Sequence, residues 1–375
     1  PNIPGLPEKP DDDLTVLGVV IDPQLNWEKH LAEIWKKVMK RMGYLYRVCG
    51  SSWGIDLVKM RLLFLTKIRP VMTYACGAWF IRGSREDRSD EGQLSYKLTQ
   101  GQMNRLEKLQ NTCLRKISGA FGKTAGRILE KELFIEDIWI TLNSQAMVQR
   151  AKSIKGKDTR WRGLVSQGKC NKNGPNNPYI TLDKRAQALI NQAKGDLEKR
   201  RKASPPTEDD NPWTIPKKRD KIIGACMKKQ AFKQSEHRWN EYVEERCAKR
   251  CRRLNKEQDL VKLPAALAEG WGKKSLKYYS GLTRAQSTML LHCRTEFIGL
   301  RHHLNFIGVR SADRPFCACE QSRETPFHLF VQCRRLDYAR FWLQREVGHT
   351  NYQDLLTKDG KIAAEWALRY FNIEQ

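Results

Sequence analysis

The chain has 375 residues, with 68 Lys or Arg against 42 Asp or Glu, so its formal net charge is +26 at pH 7. A charge of this size predicts a polyanionic partner and argues against an enzyme of small anionic metabolites, for which a local basic pocket is enough. No apolar run reaches the roughly 18 residues of a membrane span, so we expect no membrane partner. The chain begins with Pro1 and lacks an apolar leader, so we expect a fragment rather than a secretory precursor.

Apolar periodicity predicts a mainly helical chain. Residues 14–21 alternate and are rich in β-branched side chains, which predicts the one convincing strand of the first third. From Trp27 to Tyr46 apolar residues recur as on one face of a helix. Further helices are predicted over 57–68 with Pro70 beyond its end, over 103–118, over 142–154, and from about Ala231 to Asn255, with an exposed loop over 83–101. No GxGxxG, Walker or GxSxG motif occurs, so phosphate-cradling loops and acyl-transfer chemistry are without support.

The positive charge is concentrated in the middle third of the chain. Residues 153–275 hold 30 basic and 15 acidic residues, which is +15 of the total of +26. The same third contains a turn-rich break over 171–178, a basic run over 199–202, and a Pro-containing acidic stretch over 205–210. One interpretation of these runs is a solvated linker, and the other is a surface that contacts phosphates.

One constellation near the C-terminus has the composition of a metal site. Cys317, Cys319, His328 and Cys333 fall within 17 residues, spaced C-x-C-x8-H-x4-C. Zn²⁺ prefers four such ligands in a tetrahedron, and four protein ligands leave no position for water, so the predicted zinc is structural. We expect a short turn to bring the two nearest cysteines together and a helix beginning near Glu324 or Thr325 to supply the histidine. The alternative is three buried cysteines and an unrelated histidine.

Other cysteines and histidines are less suited to a metal. Cys247 and Cys251 are spaced i, i+4 with His237 upstream, which leaves a second zinc site open, although we favour small apolar residues on a helix face. Three further histidines lack a partner set and are expected to be structural or to contact nucleic acid: His292, His302 and His303.

Four segments, taken in order, carry a family resemblance. They are Leu17-Gly18-Val19-Val20-Ile21-Asp22 with Trp27 and His30; Ile68-Arg69-Pro70-Val71 with Tyr74 and Trp79; Leu106-Glu107-Lys108-Leu109-Gln110-Asn111 with Leu114, Arg115 and Ser118-Gly119-Ala120-Phe121; and Gly281-Leu282-Thr283-Arg284 with Ser287, Arg294 and Thr295. They resemble motifs of non-LTR (LINE-like, Tad/I/Jockey-type) retrotransposon reverse transcriptases, in which the last motif precedes a CxC…H…C zinc knuckle. The resemblance implies a primer-grip strand, a thumb, a connecting region and a knuckle.

The sequence also departs from this family. The family's polymerase centre is an aromatic-Ala-Asp-Asp hairpin plus another Asp, which bind two metal ions, and no such hairpin occurs here. Asp11, Asp12 and Asp13 do not replace it, because they directly precede the predicted strand and have no aromatic-Ala partner. Nor do we find the spaced carboxylates of the RNase H domain that many relatives carry. We therefore expect no catalytic residues and no polymerase activity from this chain alone.

These observations predict a mainly α fold in five parts. They are a remnant of the palm or primer-grip strand over 1–26, a helical thumb-like domain over 27–152, a basic connector with helices over 153–275, a helical segment with a CCHC-type zinc knuckle over 276–350, and a C-terminal helical tail over 351–375.

The predicted function is the nucleic-acid-binding C-terminal portion of an RNA-directed DNA polymerase, which holds template and primer. One alternative is a stand-alone domesticated RNA- or single-stranded-DNA-binding zinc-knuckle protein, and another is a decayed or mispredicted reading frame without biochemical function. Upstream coding sequence for an aromatic-Ala-Asp-Asp hairpin would distinguish a fragment from a domesticated protein. Predicted partners are RNA, DNA and ribonucleoprotein components of the element, in a reducing, nuclear location; Zn²⁺ is the expected cofactor, and Mg²⁺ belongs only to a full-length parent. The candidate phosphate-binding residues are Lys36, Lys37, Lys40, Arg41, Lys249, Arg250, Arg252 and Arg253.

Overall fold

A computed structural model of the chain describes residues 13–23, 26–80, 98–155, 178–203, 211–255, 263–371 and 373. Within these ranges the chain is mainly helical with one two-stranded sheet, which confirms the predicted fold class at this level. None of the described helices is long and apolar enough to cross a membrane. Several predicted features lie outside the described residues: Asp11 and Asp12, most of the loop over 83–101, nearly all of the break over 171–178, and the stretch over 205–210.

The elements follow one another in this order. They are β1 (Leu14–Val16), β2 (Val19–Ile21), α1 (Glu28–Tyr46), α2 (Leu57–Leu63), a π-helical turn (Phe64–Ile68), α3 (Arg69–Met72), α4 (Cys76–Trp79), α5 (Gln100–Ser118), α6 (Gly126–Glu132), α7 (Ile138–Lys155), α8 (Pro178–Ala203), α9 (Pro216–Leu254), α10 (Lys274–Tyr278), α11 (Arg284–Thr295), α12 (Arg301–Phe306), α13 (Pro326–Val331), a 3₁₀ turn (Arg334–Leu336), α14 (Asp337–Val347), α15 (Tyr352–Leu355) and α16 (Gly360–Tyr370).

The chain divides into two compact units, each formed from three separate stretches. The first unit comprises Pro1–Lys36, Val71–Glu107 and Ile138–Gln234, and the second comprises Lys37–Pro70, Lys108–Asp137 and Ser235–Gln375. The five-part organisation expected from the sequence stays a prediction.

In the first unit, β1 and β2 pair as an antiparallel hairpin in which Val16 lies opposite Val19. The prediction of one continuous strand over 14–21 was wrong. Leu17 and Gly18 both have positive φ, 48° and 83°, and the chain turns back between the two short strands. Two successive residues in the left-handed region suit a two-residue hairpin turn, and Gly adopts that conformation without strain.

Aromatic rings fix the start of α1 within the first unit. The buried ring of His30 contacts Trp27 and Trp79 at centroid distances of 6.4 and 5.4 Å, and its Nδ1 accepts the N–H of Val20 at 3.3 Å. The carboxylate of Asp22 accepts the N–H of Trp27 at 2.9 Å, just before the helix begins. Residues from two of the motif segments therefore contact each other, so packing explains why these residue types occur there.

The core of the first unit lies among α7, α8 and the first half of α9. Its buried side chains include Ala151 of α7, Ile190 of α8 and Ile223 of α9. The long helix α9 begins at Pro216, so the predicted start near Ala231 was wrong. The apolar residues of this first half form one short run over 222–227 that is flanked by Lys on both sides, too short to show a helical period by itself.

Pro70 lies inside a continuous helical segment, whereas the sequence predicted that it lies beyond the helix. α2 runs into the π-helical turn and then into α3. Pro70 has no N–H, and its ring excludes the carbonyl of Thr66 from the usual α-helical position. The N–H of Arg69 bonds to the carbonyl of Phe64, five residues back, and this wider turn accommodates the proline without ending the helix.

In the second unit, two other motif segments are joined by Arg284, which is only 2% exposed. Its guanidinium donates to the carbonyl oxygens of Gly50 at 2.8 Å and Ile117 at 2.6 Å. The second of these bonds satisfies one of the last carbonyls of α5, which has no partner within its own helix. Gly119 follows with φ 72°, and a Cβ at this position would lie 2.8 Å from Oγ1 of Thr288, so glycine permits the close approach of α11.

A buried ionic network lies beside α11. The fully buried guanidinium of Arg294 contacts the carboxylate of Glu132 at 2.8 and 3.1 Å and that of Glu269 at 2.9 Å. The ammonium of Lys131 lies 2.9 and 2.8 Å from the same two carboxylates. Burial alone would raise the pKa of Glu132, but the charges of Arg294 and Lys131 hold that pKa well below its ordinary value. Two cations and two anions thus balance, and Arg294 is a structural residue.

Acid is expected to destabilise the second unit through His292. Burial lowers the pKa of His292 to about 4. Its Nε2 lies 3.0 Å from the carbonyl oxygen of Gly119, whereas its Nδ1 has no hydrogen-bond partner among the described residues, so a second proton would be buried without an acceptor. Between about pH 6.5, the ordinary histidine pKa, and about pH 4, only the unfolded state takes up this proton. Stability should therefore fall over that window by roughly 3 kcal/mol.

Urea unfolding at a series of pH values measures this effect. The control is His292→Gln, because the glutamine amide can also donate to the carbonyl of Gly119 but does not titrate. Other acid-labile groups are common to both proteins, so the difference between their pH profiles isolates His292. Parallel profiles over this window would contradict the assignment.

Candidate metal centre

The two cysteines of the C-x-C pair lie on a tight loop between α12 and α13. An isolated antiparallel bridge closes the loop. Inside it, the N–H of Cys317 donates to the carbonyl oxygen of Ser322 at 2.9 Å, and the N–H of Glu320 donates to the carbonyl oxygen of Cys317 at 2.8 Å. Glu320 has a φ of 61°, so the chain reverses directly after Cys319. The short turn expected from the sequence is therefore present.

The other two predicted ligands lie at the two ends of the short helix α13. Oγ1 of Thr325 caps the helix by accepting the N–H of His328 at 3.2 Å, and Pro326 occupies the first turn, where its fixed φ suits a helix. Past the other end, the N–H of Cys333 donates to the carbonyl oxygen of His328 at 2.9 Å. Arg340 of α14 donates to the carbonyl oxygen of Cys333 at 2.5 Å and holds this end in place. The helix begins where the sequence predicted.

The structure brings all four predicted ligands together. Their ligand atoms all lie within 4.8 Å of one another. The Sγ atoms of Cys317 and Cys333 are 3.7 Å apart, and Sγ of Cys319 is 3.1 Å from Nε2 of His328. A tetrahedron with metal–sulfur bonds of about 2.3 Å has edges of roughly 3.8 Å, close to the first separation. The cluster could hold a metal ion enclosed by protein ligands on all four sides.

Binding of a metal to this cluster involves the loss of protons. Burial raises the pKa of the Cys317 thiol to about 12, so without a metal this group stays protonated at neutral pH. Burial lowers the pKa of His328, which favours the neutral imidazole that metals bind. The thiol must release its proton to become a ligand, so the affinity of the cluster for a metal should rise with pH.

The second cysteine–histidine arrangement does not converge. Cys247 and Cys251 are neighbours on α9, and Cys247 is buried. His237 lies almost three turns earlier, about 15 Å along the helix axis, and its Nε2 faces Glu241 at 3.3 Å. The cluster around Cys317 is the one group of potential metal ligands found in the described part of the chain. The apolar-face interpretation of Cys247 is thus supported.

The three other predicted histidines are not members of the metal cluster. His292 is the buried partner of Gly119 described above. His303 is buried as well, and its ring contacts those of Phe121 and Phe297 at centroid distances of 5.8 and 5.1 Å. His302 is half-buried. A structural role therefore suits His292 and His303.

The residues predicted to contact phosphates lie on two helices. They are Lys36, Lys37, Lys40 and Arg41 on α1, and Lys249, Arg250, Arg252 and Arg253 on α9. All are exposed except Arg250, which is half-buried and lies 3.3 Å from a carboxylate oxygen of Glu296. Arg41 donates to the carbonyl oxygen of Lys67 at 2.7 Å. Exposure is what such a role requires, and nucleic-acid binding by these residues stays a prediction.

Sequence reasoning missed an exposed aromatic face on α14, the helix that follows the metal cluster. Tyr338, Phe341 and Trp342 are 78%, 57% and 48% exposed. The ring of Trp342 contacts the other two at 6.2 and 5.6 Å, and the guanidinium of Arg345 lies 5.5 Å from its centroid. We call Tyr338, Phe341, Trp342 and Arg345 the α14 aromatic face. Their helical spacing was visible in the sequence, but the same spacing describes a core-facing stripe, and only the fold shows which side is covered.

The chain is thus a mainly helical protein with a candidate Cys₃His metal site. A scan against protein-family models finds no match for it, and searches of curated proteins and of solved structures find no significant match.

Proposed function

We propose that this chain is the nucleic-acid-binding C-terminal portion of a non-LTR retrotransposon reverse transcriptase. Residues 27–152 act as the thumb, residues 276–350 carry the zinc knuckle, and the chain holds template and primer while a palm domain performs nucleotidyl transfer with Mg²⁺. Its partners are RNA, DNA and the ribonucleoprotein components of the element, in the nucleus. The order of the four motif segments supports this proposal, as do the contacts of His30 with Trp79 and of Arg284 with Ile117.

The proposed metal is a structural Zn²⁺. Three thiolates and one imidazole are the ligand set that zinc prefers, and the 3.7 Å separation of the Cys317 and Cys333 sulfurs suits a tetrahedral ion. With four protein ligands the ion has no open position for substrate or water. Its role is therefore to hold the loop and α13 together.

The α14 aromatic face is the observation that carries the binding function. An exposed aromatic ring offers a surface on which an unpaired base can stack, and a neighbouring arginine can pair with the phosphate of the same strand. Tyr338 and Trp342 provide such rings, and Arg345 provides the cation. α14 follows Cys333 after a single 3₁₀ turn, so the metal cluster holds the start of the binding surface.

Fluorescence anisotropy with labelled single-stranded RNA and DNA tests the proposal on the full chain. The logarithm of the association constant should fall linearly with the logarithm of salt concentration, by roughly 0.7 per contacted phosphate. Replacing Tyr338 and Trp342 together with alanine should weaken binding by roughly 30-fold or more, because each of the two rings can stack a base and each stacked base contributes about 1–3 kcal/mol. The slope against salt should stay the same, since no ionic contact is removed.

The matched control is Trp53→Ala. Trp53 is 56% exposed, which is comparable to the rings on α14, but it lies outside the α14 aromatic face. Its removal should leave binding unchanged. A wild-type protein that binds neither RNA nor single-stranded DNA, or that binds them independently of salt, would overturn the proposed function. Equal losses in the control and in the double variant would show that the α14 aromatic face is not the binding surface.

A further inference from the structure

A cleft within the second unit adjoins the metal cluster. Its volume is about 240 Å³. The last turns of α9 line it, as do α12 and the residues Glu324, Thr325 and Pro326. Because Thr325 caps the helix that carries His328, the cleft and the metal cluster share a structural element.

Positive charge predominates in this cleft. Arg246, Lys249, Arg250 and Arg253 line it, against the two carboxylates of Glu296 and Glu324. Glu296 is paired with Arg250 at 3.3 Å, and Glu324 accepts the backbone N–H of Arg301 at 2.9 Å. The pKa of His302 is lowered first by burial and then by the surrounding arginines, among them Arg253 and Arg250. More cations than anions thus converge on the cleft.

Three polar atoms of the lining residues lack a hydrogen-bond partner among the described residues. They are Nε of Arg250, Nδ1 of His302 and Nε2 of His303, and the His303 side chain is only 6% exposed. Buried polar groups without partners are uncommon and call for an explanation, such as a ligand that completes their bonds. Each of these nitrogens can carry a proton, so a ligand that accepts hydrogen bonds fits them. An anion with several oxygens satisfies both the charge and the donors.

An aromatic ring lies at the same place. Phe306, at the end of α12, lines the cleft and is 70% exposed. A free phosphate has no aromatic group to stack on this ring, whereas an unpaired base attached to the phosphate can stack on it. The bases of a duplex are already stacked on one another and do not offer that face. The combination of cations, unpartnered donors and an exposed ring therefore selects a single strand.

We propose that this cleft binds the backbone of single-stranded nucleic acid, with a phosphate at Arg250, Arg253 and His302 and the adjoining base against Phe306. This inference rests on the proposed function and assigns it a specific site. It gives Arg253 a direct role that Arg252, its neighbour on α9, does not share, because Arg252 does not line the cleft. It also predicts that loss of the metal weakens binding here, through the wall formed by Thr325 and Pro326.

Arg252→Ala and Arg253→Ala form a matched pair for the test, because both arginines are exposed and occupy the last turn of the same helix. In anisotropy titrations with a labelled single-stranded oligonucleotide, Arg253→Ala should reduce the salt slope by about 0.7 and weaken binding roughly tenfold at low salt. Arg252→Ala should have a clearly smaller effect on both. Phe306→Ala should weaken single-strand binding roughly 5- to 150-fold with an unchanged slope, and should leave duplex binding as it was.

Inorganic phosphate serves as the second probe, as a competitor of the oligonucleotide. If the cleft takes only free anions, Phe306→Ala will bind the oligonucleotide as tightly as the wild type, and the proposal fails. Equal effects of the two arginine variants, with wild-type binding intact, would overturn the cleft while leaving the proposed function in place. A wild-type protein that does not bind at all would overturn both. Circular dichroism and metal content establish that the compared variants are folded alike.

Discussion

Replacing Arg294 with methionine is expected to lower the free energy of unfolding by about 3–5 kcal/mol, because it removes one partner of a buried ion pair. The substitution deletes three contacts with Glu132 and Glu269 and the bond to the carbonyl oxygen of Leu356 at 2.8 Å. Lys131 alone then faces two carboxylates. Glu132 is fully buried, so water cannot solvate its carboxylate in place of the lost guanidinium.

Urea unfolding measures this loss as a lower midpoint at an unchanged slope. Lys249→Met is the control, because it breaks an exposed pair with Glu245 on α9 and should cost no more than about 0.5 kcal/mol. Adding Glu132→Gln to Arg294→Met should restore part of the stability, since the remaining Lys131 and Glu269 then balance each other. A single Arg294→Met variant within about 1 kcal/mol of wild type would contradict the network described here.

The second large effect is expected from Cys333→Ser. The buried sulfur of Cys333 is one of four proposed zinc ligands. Structural zinc contributes about 10–16 kcal/mol of apparent binding free energy in zinc-finger peptides, so losing one thiolate should abolish stoichiometric zinc and unfold the segment around residues 314–336. Elemental analysis measures the zinc, and hydrogen exchange measures the local protection. For the wild type, a chelator should lower the melting temperature.

Cys251→Ser is the control for this experiment. Cys251 is a half-buried cysteine on α9 outside the cluster, so the variant should retain its zinc and its protection near α13. Full zinc content in Cys333→Ser would contradict the assignment of that ligand. A wild-type protein that takes up no zinc when zinc is supplied would contradict the proposed metal altogether.

Local patterns predicted several of the helices, though not α8 or α14, and the candidate metal cluster. The helices α5 and α7 overlap the segments that apolar periodicity predicted, and α13 begins close to the predicted residue, because such signals act over one or two turns. The four ligands of the cluster also lie within a short stretch, so a turn and a single helix are enough to bring them together. The predicted start of α9 was wrong because contacts with segments distant in the chain stabilise its first half. The predictions at Pro70 and at the Leu17–Gly18 turn were wrong because the backbone there adopts a local conformation that the apolar pattern does not indicate.

The sequence by itself determined that the chain is basic and mainly helical and that its C-terminal part contains a Cys₃His set, because these properties depend on composition and on neighbours along the chain. Only the tertiary structure decided which charges are available to a partner. Arg284, Arg294 and Arg253 carry the same side chain, yet the fold buries the first two among carbonyl and carboxylate oxygens and leaves the third exposed in the lining of a cleft. Burial of a side chain depends on contacts between segments far apart in the chain, so a local sequence pattern cannot predict it.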